Sequence, residues 1–458
     1  MSDINKHVPG SIREMVAVAL PMVVSFGCET AMIFTDRLFL AQLGSQSMSA
    51  AMTGGLSVFV MMSFFFGLIS YTTALVAQYF GAGEKGHCAR ALSQAVIVAV
   101  AAYPIMLALT PAAHWVFFKS GIDAVQLKEQ SKYFNVLIFG SFFNLARHAL
   151  SSFFTGIGRT RVVMAAAALA ITVNVILNYI FIFGKFGFPA LGIQGAAFGT
   201  VLASASALIF LLSKYFSIRV NREFKVTANC VFDRALMAKL WRFGCPGGFE
   251  TVLNLIAFTA MVFVMHSRGT AAAAATTVVF NWDMVTYVPL LGIEVGVMSL
   301  VGRYMGAQNI DVVKRVVSSG LKMGILYSLF MIALFGLFPV PLVDMFKPPV
   351  SDGVFADAQP LAVRMVKLVA LYVSAQAVLM VFIGALRGAG DTVWAMRISV
   401  GIHWVLLMVL VLMLQVGQSS VYQAWFALIA VFMGLAALPY LRYRTGRWKE
   451  IRVIGPES

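Results

Sequence analysis

The chain has 458 residues, 60% of them hydrophobic and only 12% charged, with a formal net charge of +15. Soluble proteins carry about 25% charged residues, so a soluble domain with a single anchor is excluded. The positive charge sits on alternate loops and on the C-terminal tail, which excludes a nucleic-acid-binding face and reads instead as a membrane topology signal.

A spanning helix needs about 20 predominantly apolar residues. Stretches of that kind recur at 15–42, 51–80, 91–117, 132–157, 162–184, 191–213, 244–266, 275–300, 317–338, 361–386, 394–415 and 421–441. They predict an all-α polytopic membrane protein with twelve transmembrane helices, since hydrocarbon offers the backbone no partner but itself. The segments are too long and too evenly apolar for barrel strands. The polar lead Met1–Met15 and the long first span, interrupted by Pro21 and Asp36, argue against a cleaved leader.

Basic residues cluster at Lys85/Arg90, Arg159/Arg161, Lys314/Arg315, Arg387/Arg397, through the 214–242 connection and along Arg442–Arg452. The opposite loops carry fewer, so both termini are predicted to be cytoplasmic. The basic tail suits anionic membrane lipid and no nucleic acid. Four cysteines form no CxxC and six histidines no ligand pair, so free thiols and no metal cofactor are expected.

The chain repeats itself. Pro21 and Pro246 stand 225 residues apart, and at that offset Tyr79, Gly81, Ala82 and Arg90 fall on Tyr304, Gly306, Ala307 and Arg315. Further on, Gly156–Thr160 resembles Gly388–Thr392 at an offset of 232, the difference being taken up by a longer outer loop near 338–359. Six spans per half makes the repeats parallel, related by an axis along the membrane normal. Residues 1–213 then form an N-lobe (spans 1–6), 214–243 a cytoplasmic linker, and 244–458 a C-lobe (spans 7–12) with its basic tail, around a central cavity.

Asp36 lies inside the first span, where an ionisable group costs about 2.5–3.5 kcal/mol on insertion scales. Such a residue marks an ion or substrate path unless its neighbour Arg37 neutralises it. Glu29, seven residues earlier and on nearly the same face, has two roles open to it: a second charge in the N-lobe cavity, or a partner for Arg147 or His148.

Several strings bear a family likeness. They are Ala19-Leu20-Pro21, Thr35-Asp36-Arg37, Ala77–Gly83, Gly156–Thr160, Asn174 and Asn178, Gly192–Thr200, Gly244-Cys245-Pro246 with Glu250, and Gly384–Gly388 with Asp391-Thr392. With these the chain resembles the MATE (multidrug and toxic compound extrusion) family in its bacterial NorM- and DinF-like branch, over about residues 12–440. The resemblance implies secondary active multidrug efflux in a bacterial inner membrane. Na⁺ or H⁺ would flow inward, organic compounds, cationic and aromatic, would flow out, and two lobes of a monomer would rock between outward- and inward-facing states. A lipid-linked oligosaccharide flippase of related fold is the alternative. An enzyme is not expected, because no HExxH or GxSxG string appears.

The resemblance also implies a cation site at Asp36, Asn174, Asn178 and Thr200. The chemistry agrees: the two asparagines are four apart on one helical face, and carboxylate, amide and hydroxyl oxygens are hard ligands fit for Na⁺ and equally able to hold a proton. By themselves the asparagines would also serve as interhelical hydrogen-bond glue. In the C-lobe the resemblance points to Glu250, with Asn254 one turn on, and to Tyr372 and Gln376. Gln376 stands where sodium-coupled relatives have Asp, which puts a C-lobe sodium site in doubt. Asp283 and Glu294, eleven apart, are candidates to compensate by both facing the cavity, and a purely structural role beside Arg303 is the other reading of Glu294.

Overall fold

The structure, a computed structural model, describes residues 7–347 and 353–455. Among them there is no strand. The helices in chain order are α1 (Ile12–Ala41), α2 (Ser45–Ser70), α3 (Thr72–Gly81), α4 (Lys85–Lys119), α5 (Ala124–Gly156), α6 (Thr160–Phe183), α7 (Ile193–Tyr215) and the short α8 (Ile218–Phe224). They continue as α9 (Arg234–His266), α10 (Thr270–Gly306), α11 (Ile310–Leu337), α12 (Pro339–Asp344), α13 (Gly353–Ala389), α14 (Thr392–Val411), α15 (Val421–Leu435) and α16 (Leu438–Arg444). A break at Tyr71 divides α2 from α3 within one span, and a π-helical turn, Leu412–Val416, prolongs α14.

Eleven spans are long and apolar enough to cross a bilayer on composition alone. The twelfth is α5, whose 33 residues reach about 50 Å. It carries Lys128, Glu129, Lys132 and Arg147, and three of these charges are paired: Lys132 with Glu129 at 3.0 Å and Arg147 with Glu29 at 2.8 Å. The 214–243 connection is more ordered than its polarity suggested, since it holds α8 and the first ten residues of α9. Glu223 on α8 pins it to the N-lobe through Lys85, at 3.2 Å, and Arg159. Burial works to raise the Glu223 carboxyl, but the two cations outweigh it and hold it below the usual carboxylate range.

The repeat is visible in the backbone. The turns after α1 and α9 each use a glycine at positive φ, Gly44 at 122° and Gly269 at 103°, a conformation closed to other residues. α6 and α14 both start on threonine, Thr160 and Thr392. The halves meet through α1 with α10, α2 with α9, and α3 with α10.

At the centre of this seam backbone touches backbone. A Cβ on Gly81 would overlap the carbonyl oxygen of Arg303, and one on Gly306 that of Gln78. These two contacts exchange under the 225-residue offset, so the two-fold axis runs between them. Across the same seam Gln78 Nε2 donates to the Gly388 carbonyl at 2.9 Å, and the Tyr304 hydroxyl donates to Glu14 at 2.7 Å. All of these contacts lie toward the end of the bundle where the chain begins. The lobes therefore close on each other at that end.

The seam makes a prediction. Gly306→Val forces about 1–3 kcal/mol of overpacking into the closed end. In a background free of Cys28, Cys88, Cys230 and Cys245, a cysteine placed at Ala77, buried against Gly302, should then react with maleimide several-fold faster than in the parent. Unchanged labelling would show that this contact does not hold the end shut.

Candidate functional site

Asp36 is delivered by the second half of α1. Pro21 interrupts that helix and removes the N–H that the Ala17 carbonyl would otherwise receive. The Thr160 hydroxyl approaches that carbonyl at 3.5 Å, and Ser25 Oγ donates to the Pro21 carbonyl at 2.7 Å. The carbonyl freed by Pro21 is thus approached by Thr160 of α6 rather than left open.

Around Asp36 the four residues predicted from sequence come together. Asn178 Nδ2 donates to Asp36 Oδ1, Thr200 Oγ1 lies 3.2 Å from Oδ2, and Asn178 Nδ2 also reaches Asn174 Oδ1 at 3.2 Å. Asn174 Nδ2 donates to Thr200 Oγ1 at 3.3 Å. Asn174 and Asn178 are fully buried and Asp36 is 8% exposed. Gly199 makes the packing possible, because any Cβ there would overlap Asn178 Oδ1.

The set holds more acceptors than donors. Asn178 Oδ1 is buried with no hydrogen-bond partner, and turning the amide round would set that oxygen against the carboxylate. Among the described residues no Lys, Arg or His forms an ion pair with Asp36, and Arg37 points outward. A buried carboxylate beside an orphaned amide oxygen leaves the set with an excess of acceptors and no positive charge to match them. Glu29 takes the pairing role: Arg147 Nη1 binds it at 2.8 Å while Nη2 reaches Asn144 Oδ1 at 3.1 Å. His148 is engaged with Ser70 Oγ at 2.8 Å.

The C-lobe candidates divide into separate places. Arg387 Nη2 binds Glu250 Oε1 at 2.7 Å and Nη1 binds Glu294 Oε1, forming a triad of two buried glutamates and a half-buried arginine. Asp283 is elsewhere: it accepts from the Tyr372 hydroxyl and, with Gln376, lines a cavity of about 100 Å³ inside the C-lobe. Asn254 is in neither cluster and donates to Ser399 Oγ at 2.9 Å. Asp283 and Glu294 lie eleven residues apart on α10, about 16 Å along its axis, and Glu294 is not among the residues that line the Asp283 cavity. The expected neighbour of Glu294 was Arg303, but that guanidinium lies over the Phe80 ring at 5.1 Å. Arg387, counted from sequence with the cytoplasmic basic loops, is the residue missed. Its position at the end of an apolar span, inside Gly384–Gly388, was the available signal.

The MatE family model matches residues 21–180 and 246–413, two segments that begin 225 residues apart. The chain is 25% identical over 458 residues to a "Probable multidrug resistance protein NorM" of Thermotoga maritima, covering 99% of this chain and 96% of that protein. It is 26% identical to "Multidrug resistance protein MdtK" of Edwardsiella ictaluri, over 86% of this chain and 85% of that one. Among solved structures, an outward-facing MATE family transporter of the MOP superfamily superposes with a TM-score of 0.88 at 19% identity, covering 98% of this chain and 99% of that one. A MOP superfamily transporter from Pyrococcus furiosus gives 0.85 at 19%, covering 97% and 98%. With its duplicated six-span halves and both segments matched, the chain belongs to the MATE family of membrane transporters.

Proposed function

We propose that the protein exports organic compounds, cationic and aromatic ones foremost, in exchange for inward-moving Na⁺ or H⁺. One observation carries this reading: the uncompensated Asp36 carboxylate among Asn174, Asn178 and Thr200, with the Asn178 carbonyl oxygen left over. A coupling cation taken up there supplies the missing positive charge, and its release to the cytoplasm restores the acceptor-rich state. The multidrug resistance names of the relatives point to the same cargo.

In this reading residues 1–213 and 244–458 are the two moving lobes, 214–243 joins them, and both termini are cytoplasmic in a bacterial inner membrane. The closed end is then the cytoplasmic end and the cleft faces outward. A switch of state must break the Gly81 and Gly306 contacts together, because one symmetry axis passes between them.

The test is efflux of a fluorescent organic cation from proteoliposomes, driven first by an imposed Na⁺ gradient and then, separately, by a pH gradient. Acceleration by either one identifies the coupling ion. Efflux indifferent to both would refute cation coupling.

A further inference from the structure

The structure assigns a headgroup site for one anionic phospholipid to the surface of the C-lobe, at Trp394, Arg397 and Arg442. The site stands apart from cargo and coupling ion and holds whatever the protein exports. Arg442, on α16, donates Nε to Asp391 Oδ2 at 2.8 Å. Asp391 is the residue just before α14, so this pair ties the last short helix to the turn between α13 and α14. The Arg442 side chain is only 12% exposed, and among the described residues nothing accepts from its Nη groups. Its guanidinium lies over the Trp394 ring at 4.8 Å. Arg397, one turn further along α14, sets a second guanidinium over the same ring at 5.3 Å. Among the described residues no carboxylate pairs with Arg397. Two guanidiniums therefore converge on one indole against a single carboxylate, and each repels the other at short range. An anion between them relieves that repulsion.

The place of the cluster says which anion. Val393 and Trp394 at the start of α14, and Leu438, Tyr440 and Leu441 on α16, are all exposed. On a bundle that spans a bilayer, such an apolar surface faces acyl chains. Arg397 stands in the second turn of α14, about 8 Å from its first residue, a depth from which a long basic side chain reaches the lipid phosphates. Trp and Tyr are enriched at that level. A guanidinium fork matches phosphate oxygens in pairs. A phosphodiester with a net negative head, its chains laid along the apolar wall, meets both halves of the site.

The fold does not require the cluster. At the 232-residue offset Trp394 and Arg397 fall on Val162 and Ala165, and Asp391 falls on Arg159, whose partner is Glu223. The N-lobe thus builds the same turn and the same helix start with neither the indole nor the second guanidinium.

The test is native mass spectrometry of the purified full-length protein in detergent. It is titrated with dioctanoyl phosphatidylglycerol, with the zwitterionic dioctanoyl phosphatidylcholine, and with glycerophosphoglycerol, the first headgroup without its chains. Phosphatidylglycerol should bind about fivefold more tightly than phosphatidylcholine, and Arg397→Gln should erase that margin, the effect of one basic residue near a membrane surface. Trp394→Leu keeps an apolar wall, removes the stacking platform and should weaken phosphatidylglycerol as well. Arg219→Gln removes an exposed positive charge beside the N-lobe and should change nothing. Glycerophosphoglycerol should bind far more weakly than the intact lipid. Equal binding of the two lipids by the parent, or indifference to Arg397→Gln or to Trp394→Leu, would each overturn the site. An equal loss in Arg219→Gln would overturn it too, reducing the preference to general attraction between a basic protein and an acidic lipid. Glycerophosphoglycerol bound as tightly as the lipid would overturn the lipid assignment in favour of a soluble phosphate ester.

Discussion

Asp36→Asn is expected to abolish cation-driven efflux, lowering it at least 100-fold, while expression and thermal stability stay at or above the parent level. The substitution is nearly isosteric, and the new amide can still accept from Asn178 through its oxygen and donate to Thr200 Oγ1 through its nitrogen, so the packing of α1 on α6 and α7 survives. What disappears is the charge. A carboxylate in the bilayer interior costs several kcal/mol to hold, and in the described structure no internal cation offsets that cost. Removing it relieves the folded state and removes the attraction for Na⁺ or H⁺ in one step. The two readouts must therefore diverge: a melting temperature equal or higher, and transport gone. Parallel loss of both would mean that Asp36 is a structural hydrogen-bond acceptor. Parent-level efflux in a pump-deficient host would mean that coupling lies elsewhere. Gln376→Ala, which removes no charge, should reduce efflux far less.

Sequence reading grouped Asp36, Asn174, Asn178 and Thr200, which the structure brings together, because the logic is local. Asn174 and Asn178 share a face by helical spacing alone, and the cost of burying Asp36 demands partners wherever the chain folds. The spans were legible for the same reason, since length and apolarity are properties of one segment. α5 was marked despite its charges because its apolar stretch 132–157 is long enough on its own. The C-lobe was less legible. Six ionisable or amide groups on long helices can be sorted into clusters only by knowing which helices touch. Arg387 was assigned to a basic loop because charge counting cannot see that it turns inward to two glutamates on other helices. Asp283, Tyr372 and Gln376 were each named from sequence, but not the cavity that joins them, since its walls come from α9, α10, α13, α14 and α15.

That triad yields the second large effect. Arg387→Met should lower the stability of the C-lobe by about 3–5 kcal/mol, because it strands two buried carboxylates with no counter-ion. Glu250 and Glu294 are 4% and 3% exposed, and Glu250 Oε2 already lacks a hydrogen-bond partner, so neither can turn to water for relief. Gly384 packs against the backbone of Glu294 and fixes its position. Arg387→Lys should fall between parent and Met, since a single ammonium cannot serve two acids as the forked guanidinium does. The diagnostic step is rescue. Adding Glu250→Gln and Glu294→Gln to Arg387→Met removes the stranded charges and should recover most of the melting temperature lost. A triple variant as unstable as Arg387→Met alone would show that the arginine stabilises the helix bundle by its packing, and that the charges are incidental. Recovery of stability without recovery of transport would instead assign the triad to the transport cycle, with its net negative charge as the feature the cycle uses.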